Sequence, residues 1–216
     1  MDRIVEKYSP KATFPYLDNI TVCGYDQADH DTNLQKFMQA AAEVNLTFNK
    51  SKCEFSTRRL KILGSVIENG TLKPDPERMK PLRDIPPPSN MKSLKRILGF
   101  FSYYSQWIKQ FSDKIRPLSQ TNSFPITQQA LQAFLNLKKE IEESVVTAIN
   151  ETIPFEVETD ASDVALGATL NQGGRPVAFF SRTLHGAETT NSAIEKEAQA
   201  CVEAIRYWRD FLLSVI

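Results

Sequence analysis

The sequence predicts an α+β fold, and three observations carry that prediction. β-prone runs flank turn signals in the N-terminal third, at "FPYLDNITV" and "RLKILGSVIENGTLKP". Apolar residues then recur at helical spacing through the middle of the chain. Strand-like alternation returns late, at "PFEVETD", and is closed by one more amphipathic stretch. Hairpins followed by helices lead to sheets with helices packed on one face.

In order, "FPYLDNITVCG" reads as a tight hairpin with Asp18 and Asn19 at or beside its tip. Asp and Asn are also ordinary turn residues, so this pair has a structural and a chemical reading, and both stay open here. Leu34, Phe37, Met38, Ala41 and Ala42 predict a helix over 31–44, capped by Asp31 or Thr32. "LTFNKSKCEFS" reads as strand and turn. Asn69-Gly70 signals a second hairpin, and "PDPERMKPLRDIPPPSN" begins a new unit. Leu94, Ile97, Leu98, Phe101, Tyr104, Ile108 and Phe111 predict one helix from Met91 to Phe111, with Lys92, Lys95, Arg96 and Lys109 off the apolar stripe. A further helix is predicted over 127–149. "VALGATLNQ" and "RPVAFFSR" read as strands joined at "NQGGRP", and a last helix over Ser192–Leu213.

The 216 residues allow one large or two small domains, and 41% hydrophobic residues suffice for a core. No apolar run approaches the roughly 18 residues of a membrane span, and no N-terminal leader pattern is present, so no membrane partner is expected. Cys23, Cys53 and Cys201 are far apart in sequence and have no zinc-type spacing to His30 or His185. Net charge is zero but uneven: residues 49–117 hold 15 Lys and Arg against 6 Asp and Glu, whereas residues 140–160 hold seven acids and no base. A basic half is what a polyanion-binding surface requires, although a solvated charged face has the same composition.

Two carboxylates stand out. Glu197 borders a stripe of Ile194, Ala198, Cys201, Val202, Ile205, Trp208 and Leu212, which turns it toward the sheet. Asp160 closes the strand "PFEVETD". Such a pair suits a divalent metal with oxygen ligands. A helix-rim glutamate and an Asx-turn aspartate would read the same way.

Taken together, six segments in order resemble the polymerase–ribonuclease H part of the Pol polyprotein of gypsy-type LTR retrotransposons. They are "YLDNITV", "LTFNKSKCEF", "KILGSVIENGTLKPDPERMKPL", "SLKRILGFFSYYSQWIKQFSDKIRPL", "FEVETDASDVALGATLNQGGRPVAFFSRTL" and "IEKEAQACVEAIRYWRDFL". The resemblance implies a partial reverse-transcriptase palm over 1–75, a helical thumb over 76–125, a connecting helix over 126–152 and a truncated RNase H-like sheet with one helix over 153–216. It implies RNA-directed DNA polymerase and ribonuclease H chemistry with Mg²⁺ or Mn²⁺. It also implies template–primer, RNA–DNA hybrid and dNTP as partners, together with the polyprotein segments missing here. The implied location is intracellular and cytoplasmic, in a virus-like particle or the nucleus.

The resemblance also assigns residues. Asp18 becomes a polymerase metal ligand and Lys52 a pyrophosphate contact. Leu63 and Gly64 form the primer grip. Lys92, Lys95, Arg96 and Lys109 lie near template–primer phosphates. Asp160 and Glu197 are ribonuclease H metal ligands. Asn19 departs from the family's second hairpin aspartate; it keeps an acceptor oxygen but loses the charge. The family's first catalytic aspartate and its later ribonuclease H acids have no counterpart in the sequence. The isolated chain is therefore expected to be inactive, with a non-catalytic nucleic-acid-binding remnant as the alternative. The terminal half is expected to leave one sheet edge unpaired and one face partly bare.

Overall fold

A computed structural model describes residues 12–17, 19–150 and 152–213. The chain is mixed α and β, and it falls into two compact units that divide between Ser56 and Thr57.

In the first unit β1 (Thr13–Tyr16) pairs antiparallel with β2 (Asn19–Val22), and Tyr16 stands opposite Asn19. The turn after β1 opens with Leu17, which is in the left-handed region at φ 54°. Asn19 is the first strand residue, and Asp18 lies outside the described residues. Helix α1 spans Gln27–Glu43, so it starts ahead of the Asp31 or Thr32 cap predicted from sequence. Its cap is Asp26, whose carboxylate accepts from the Asp29 amide at 2.8 Å. The extra turn, Gln27-Ala28-Asp29-His30, carries no large apolar residue, so apolar spacing could not reveal it. Phe37, Ala40 and Ala41 are buried, and Phe37 meets Phe48 edge-on at 5.8 Å between centroids. The strand expected in "LTFNKSKCEFS" is instead a 3₁₀ turn at Lys50–Lys52, where the Asn49 side chain accepts from the Ser51 amide at 3.2 Å. Such local side-chain bonds compete with sheet pairing.

The second unit opens with a meander of β3 (Arg59–Ile62), β4 (Ser65–Glu68) and β5 (Thr71–Pro74), joined by two turns rather than the single one signalled by Asn69-Gly70. The first turn is Leu63-Gly64 at φ 51° and 85°, and the second is Asn69-Gly70 at φ 50° and 70°. Positive φ at both central residues suits the right-handed twist of hairpin strands. β6 (Val146–Thr147) completes this sheet against β5. It lies where the sequence predicted the end of a helix, because the β-branched run Val145-Val146-Thr147 follows the end of its helix at Glu143.

Helices α2 (Pro76–Asp84), α3 (Met91–Tyr103), α4 (Phe111–Ser119) and α5 (Gln128–Glu143) gather around one core. Leu82, Leu94, Ile97, Phe101, Leu118, Phe134, Leu137 and Ile141 are almost wholly buried there. The continuous helix predicted from Met91 to Phe111 is broken. α3 ends at Tyr103, a 3₁₀ turn holds Ser105–Trp107, and Gln110 is left-handed at φ 54° and ψ 40°. The run Tyr-Tyr-Ser-Gln-Trp-Ile is poor in strong helix formers, and the Ser105 hydroxyl donates to the Ser102 carbonyl at 2.7 Å. Each piece still presents its apolar side to the core, so the stripe alone concealed the break.

The C-terminal sheet consists of β7 (Glu156–Ala161), β8 (Ala165–Gln172) and β9 (Arg175–Thr183), all antiparallel in the order β7-β8-β9. Helix α6 (Ala193–Tyr207) packs on one face, capped by a reciprocal Ser192–Glu195 box, and α7 (Arg209–Leu213) follows it. The buried row of α6 is Lys196, Ala200 and Ala204, continued by Trp208. Of the predicted stripe, Trp208 is buried and Leu212 packs beside it, but Ile194, Val202 and Ile205 turn away from the core, and Ile194 is 82% exposed. Small alanines let the helix approach the sheet. Lys196 buries its stem while its ammonium reaches Asp163 at 3.0 Å, which a hydrophobicity count cannot register.

The other face of this sheet is not bare. Phe179 of β9 packs against the core of the helices, while Phe180 lies 4.9 Å from the Tyr207 ring on the α6 side. Alternation along β9 thus ties the sheet into both cores. The helices cover this face along β9, whereas Glu156, Glu158 and Asp160 of β7 stay exposed on it, so the face is partly covered, as the sequence led one to expect.

A charged tie fixes the end of β9. Arg182 grips Glu188 with both terminal nitrogens at 3.0 and 2.9 Å, and the same carboxylate accepts from the His185 amide and from Gln199. Chiefly through the Arg182 bond, the Glu188 carboxyl falls from its ordinary 4.5 to about 2. A depressed carboxyl pKa stabilises the fold above the unfolded value and loses that contribution as pH drops through the folded value. The Tm advantage of wild type over Glu188→Gln should therefore be full above about pH 5 and shrink steadily as pH falls toward 2. A constant Tm difference across that range would show that the ion pair adds nothing.

Candidate functional site

The residues singled out from sequence fall in three places. In the first unit Asn19 is exposed at the start of β2, and Lys52 is exposed at the end of the 3₁₀ turn.

In the second unit, the Leu63-Gly64 turn lies against α3. The Tyr103 hydroxyl reaches toward the Leu63 carbonyl at 3.5 Å, a long and weak contact. A Cβ on Gly64 would sit 2.9 Å from that hydroxyl and 3.0 Å from an Arg78 nitrogen. Glycine is favoured here by its positive φ, and any Cβ would also have to push aside the ends of the Tyr103 and Arg78 side chains. Beside this turn Arg78, Arg96, Gly99, Phe100 and Tyr103 line a hollow of about 550 Å³. Lys92, Lys95 and Arg96 project from one exposed side of α3, since positions three and four apart share a helix face. Arg78 and the half-exposed Tyr103 were not singled out from sequence. The basic surplus was the clue to the first, and an aromatic off the apolar stripe was the clue to the second.

The third place is the end of β7. Val157, Thr159 and Ala161 face α6, as the 3.3 Å contact of Thr159 Oγ1 with Cys201 Sγ records. Glu156, Glu158 and Asp160 alternate to the opposite face. There Asp160 Oδ2 accepts from Gln110 Nε2 at 3.0 Å. Glu197 reaches the outer edge of β7, where its Oε1 accepts from the Ala161 amide at 3.3 Å. The two acids thus flank one strand end but hold different partners. Lys109 and Gln110 line a cleft beside Asp160, and neither the lysine nor the glutamine was expected there from sequence.

Three comparisons bear on this arrangement. A family model described as an RNase H-like domain found in reverse transcriptase matches residues 126–215, which take in α5 and β6 as well as the C-terminal sheet. The chain is 32% identical, over 98% of its length, to the retrovirus-related Pol polyprotein of transposon opus from Drosophila melanogaster, and 26% identical over 98% to that of transposon gypsy. The homologues of this chain are Pol polyproteins of gypsy-type transposons. A Tf2 polyprotein of Schizosaccharomyces pombe is 28% identical over 93% of the chain. The chain spans only 23% of the length of the opus polyprotein and 22% of that of the gypsy one. Among solved structures, a foamy viral protease-reverse transcriptase in complex with dsDNA superposes with a TM-score of 0.84 at 19% identity, covering 98% of this chain and 47% of that one. The same viral protein in complex with an RNA/DNA hybrid gives 0.80. At that identity the likeness establishes a shared fold.

Divalent metals serve two-ion phosphoryl chemistry by clamping attacking and leaving oxygens. Among the described residues no three His, Cys, Asp or Glu side chains converge as a metal-holding group. Asp160 and Glu197 each have one carboxylate oxygen committed to a protein donor. Magnesium requires near-octahedral oxygen coordination, so these two acids are an incomplete donor set.

Proposed function

We propose that this chain is the stretch of a retrotransposon Pol polyprotein that runs from the palm hairpin, through the thumb and connecting helix, into the first half of the ribonuclease H domain. The proposed segments are 1–75, 76–125, 126–152 and 153–216. In the complete polyprotein it would take part in RNA-directed DNA synthesis and in hydrolysis of the RNA strand of an RNA–DNA hybrid, with Mg²⁺ or Mn²⁺ and dNTP. The observation that carries this reading is the placement of the Leu63-Gly64 turn against Arg78 and Tyr103, beside the exposed Lys92, Lys95 and Arg96. A backbone turn that admits close approach, next to cations and an exposed ring, suits a duplex backbone. Phosphate contacts position such a duplex without reading its sequence.

Asp18 and Lys52 would serve nucleotidyl transfer, with Asn19 as the weakened position. Asp160 and Glu197 would serve hydrolysis. Lys109 would add a phosphate contact near Asp160. The isolated chain is expected to bind template–primer and hybrid but neither to extend a primer nor to cleave a hybrid. The incomplete donor set at Asp160 and Glu197 also favours a second reading, a binding remnant without chemistry. Primer extension and hybrid cleavage by the complete polyprotein, set beside the isolated chain, separate the two. Activity in the longer protein that disappears with Asp18→Ala or Asp160→Asn supports the enzyme. Hybrid binding with neither activity in both proteins leaves only the remnant.

A further inference from the structure

We propose that Gln110 is a positioning residue for the Asp160 carboxylate, a role that rests on reading Asp160 as an acid of hybrid hydrolysis. Gln110 lies between the 3₁₀ turn and α4, in the segment that docks on the second face of the C-terminal sheet. Its Nε2 donates to Asp160 Oδ2 at 3.0 Å. The residues just after it are pinned to the same sheet: the Ser112 amide donates to Ser181 Oγ at 3.0 Å, and Ser162 Oγ donates to Asp113 Oδ1 at 3.3 Å. Three contacts spaced over four residues fix where the amide points, although the Gln110–Asp160 pair itself remains open to water.

The backbone at Gln110 is left-handed, a conformation that glycine or asparagine enters more readily than glutamine. A longer amide at that turn reaches into a cleft of about 170 Å³ lined by Lys109, Glu158, Thr159, Asp160 and Gly167. Gly167 stands opposite Asp160 in the sheet and sends no side chain across that space. Strained backbone that carries a specific side-chain contact is a recurrent feature of functional sites.

The chemistry favours orientation over locking. A lysine or arginine at this place would hold Asp160 but cancel its charge. A neutral amide fixes one carboxylate oxygen, preserves the negative charge and leaves the other oxygen its lone pairs. Catalytic carboxylates lose rate when their orientation loosens by fractions of an ångström.

Two experiments test this. In the complete polyprotein, Gln110→Ala and Gln110→Gly should each lower kcat for RNA–DNA hybrid cleavage about tenfold, with KM unchanged within about twofold. Gln110→Glu should lower kcat further, because it replaces the donor with a second carboxylate. Gln110→Gly should keep or raise Tm, since glycine suits the turn, so its lost rate cannot be blamed on unfolding. Wild-type kcat in the Gly and Glu variants would overturn the proposal. In the isolated chain, a double-mutant cycle of Gln110→Ala with Asp160→Ala on urea unfolding should show a coupling of about threefold in the unfolding constant. Strict additivity would overturn it independently of any activity. A polyprotein that cleaves no hybrid, paired with a coupled cycle, would retain the contact while refuting the catalytic reading of Asp160 and with it the positioning role.

Discussion

Phe101→Ala should cost about 3–5 kcal/mol and bring down the C-terminal sheet together with the helices. Phe101 is fully buried, and its ring lies 5.8 Å from Phe134 at the centre of the core formed by α2 to α5. Truncation there removes both the transferred apolar surface and the packing around it. A typical domain has a net stability of only about 5–15 kcal/mol, so roughly a fifth or more of it would go. The core does not end with the helices. Phe179 of β9 and Val146 of β6 both contact it, so a loosened helical core loses its grip on the sheet. The two tryptophans make this measurable. Trp107 belongs to the helical core and Trp208 to the smaller core between α6 and the sheet. With Trp107→Phe and Trp208→Phe as single-reporter backgrounds, urea unfolding should give coincident transitions, both shifted down by more than about 1 M in Phe101→Ala. A Trp208 transition that stays in place while that of Trp107 falls would mean that the sheet stands on its own packing.

That coupling explains much of what could and could not be read from the sequence. Period-two and period-3.6 patterns report whether a face is buried, and they located β7, β8, β9, α3, α5 and α6. They do not report which element covers the face. Phe179 and Phe180 are adjacent aromatics in "AFFSR", and nothing in the sequence alone says that one meets α6 and the other a distant helical core. The rotation of α6 has the same origin. Ile194, Val202 and Ile205 look like a core stripe, yet the row that packs is Lys196, Ala200 and Ala204, selected by the close approach of the helix. At the candidate site, strand-end Asp160 and sheet-edge Glu197 could be marked from spacing. Gln110 could not, because its role depends on a left-handed turn within a predicted helix and on a contact across fifty positions. Gly64 was marked as allowing close approach, but its neighbours Arg78 and Tyr103 became visible only when the meander met α3.

Reversing Lys92, Lys95 and Arg96 together to glutamate should reduce binding of an RNA–DNA hybrid to the isolated chain by about a hundredfold or more at low salt and flatten its salt dependence. All three side chains are exposed on α3, so the substitutions leave the buried positions Leu94, Ile97 and Phe101 untouched. Each lysine or arginine that neutralises a phosphate releases condensed counterions, which makes the log–log slope of affinity against salt steeper by about 0.9 per contact. Losing three contacts should therefore remove roughly 2.7 from that slope. Reversal adds repulsion to the loss, felt mainly below about 0.1 M salt, where the Debye length exceeds 10 Å. The measurement is filter binding or fluorescence anisotropy from about 50 to 200 mM salt, with circular dichroism to confirm that the variant remains helical. Because phosphate contacts are blind to sequence, hybrids of different sequence should weaken equally. A slope unchanged by the triple reversal would move the duplex off α3 and leave the basic surplus of residues 49–117 as a solvated surface. A slope reduced by only about one unit would assign a single contact to this face and direct the search to Arg78 and Lys109, the remaining cations beside the turn and the cleft.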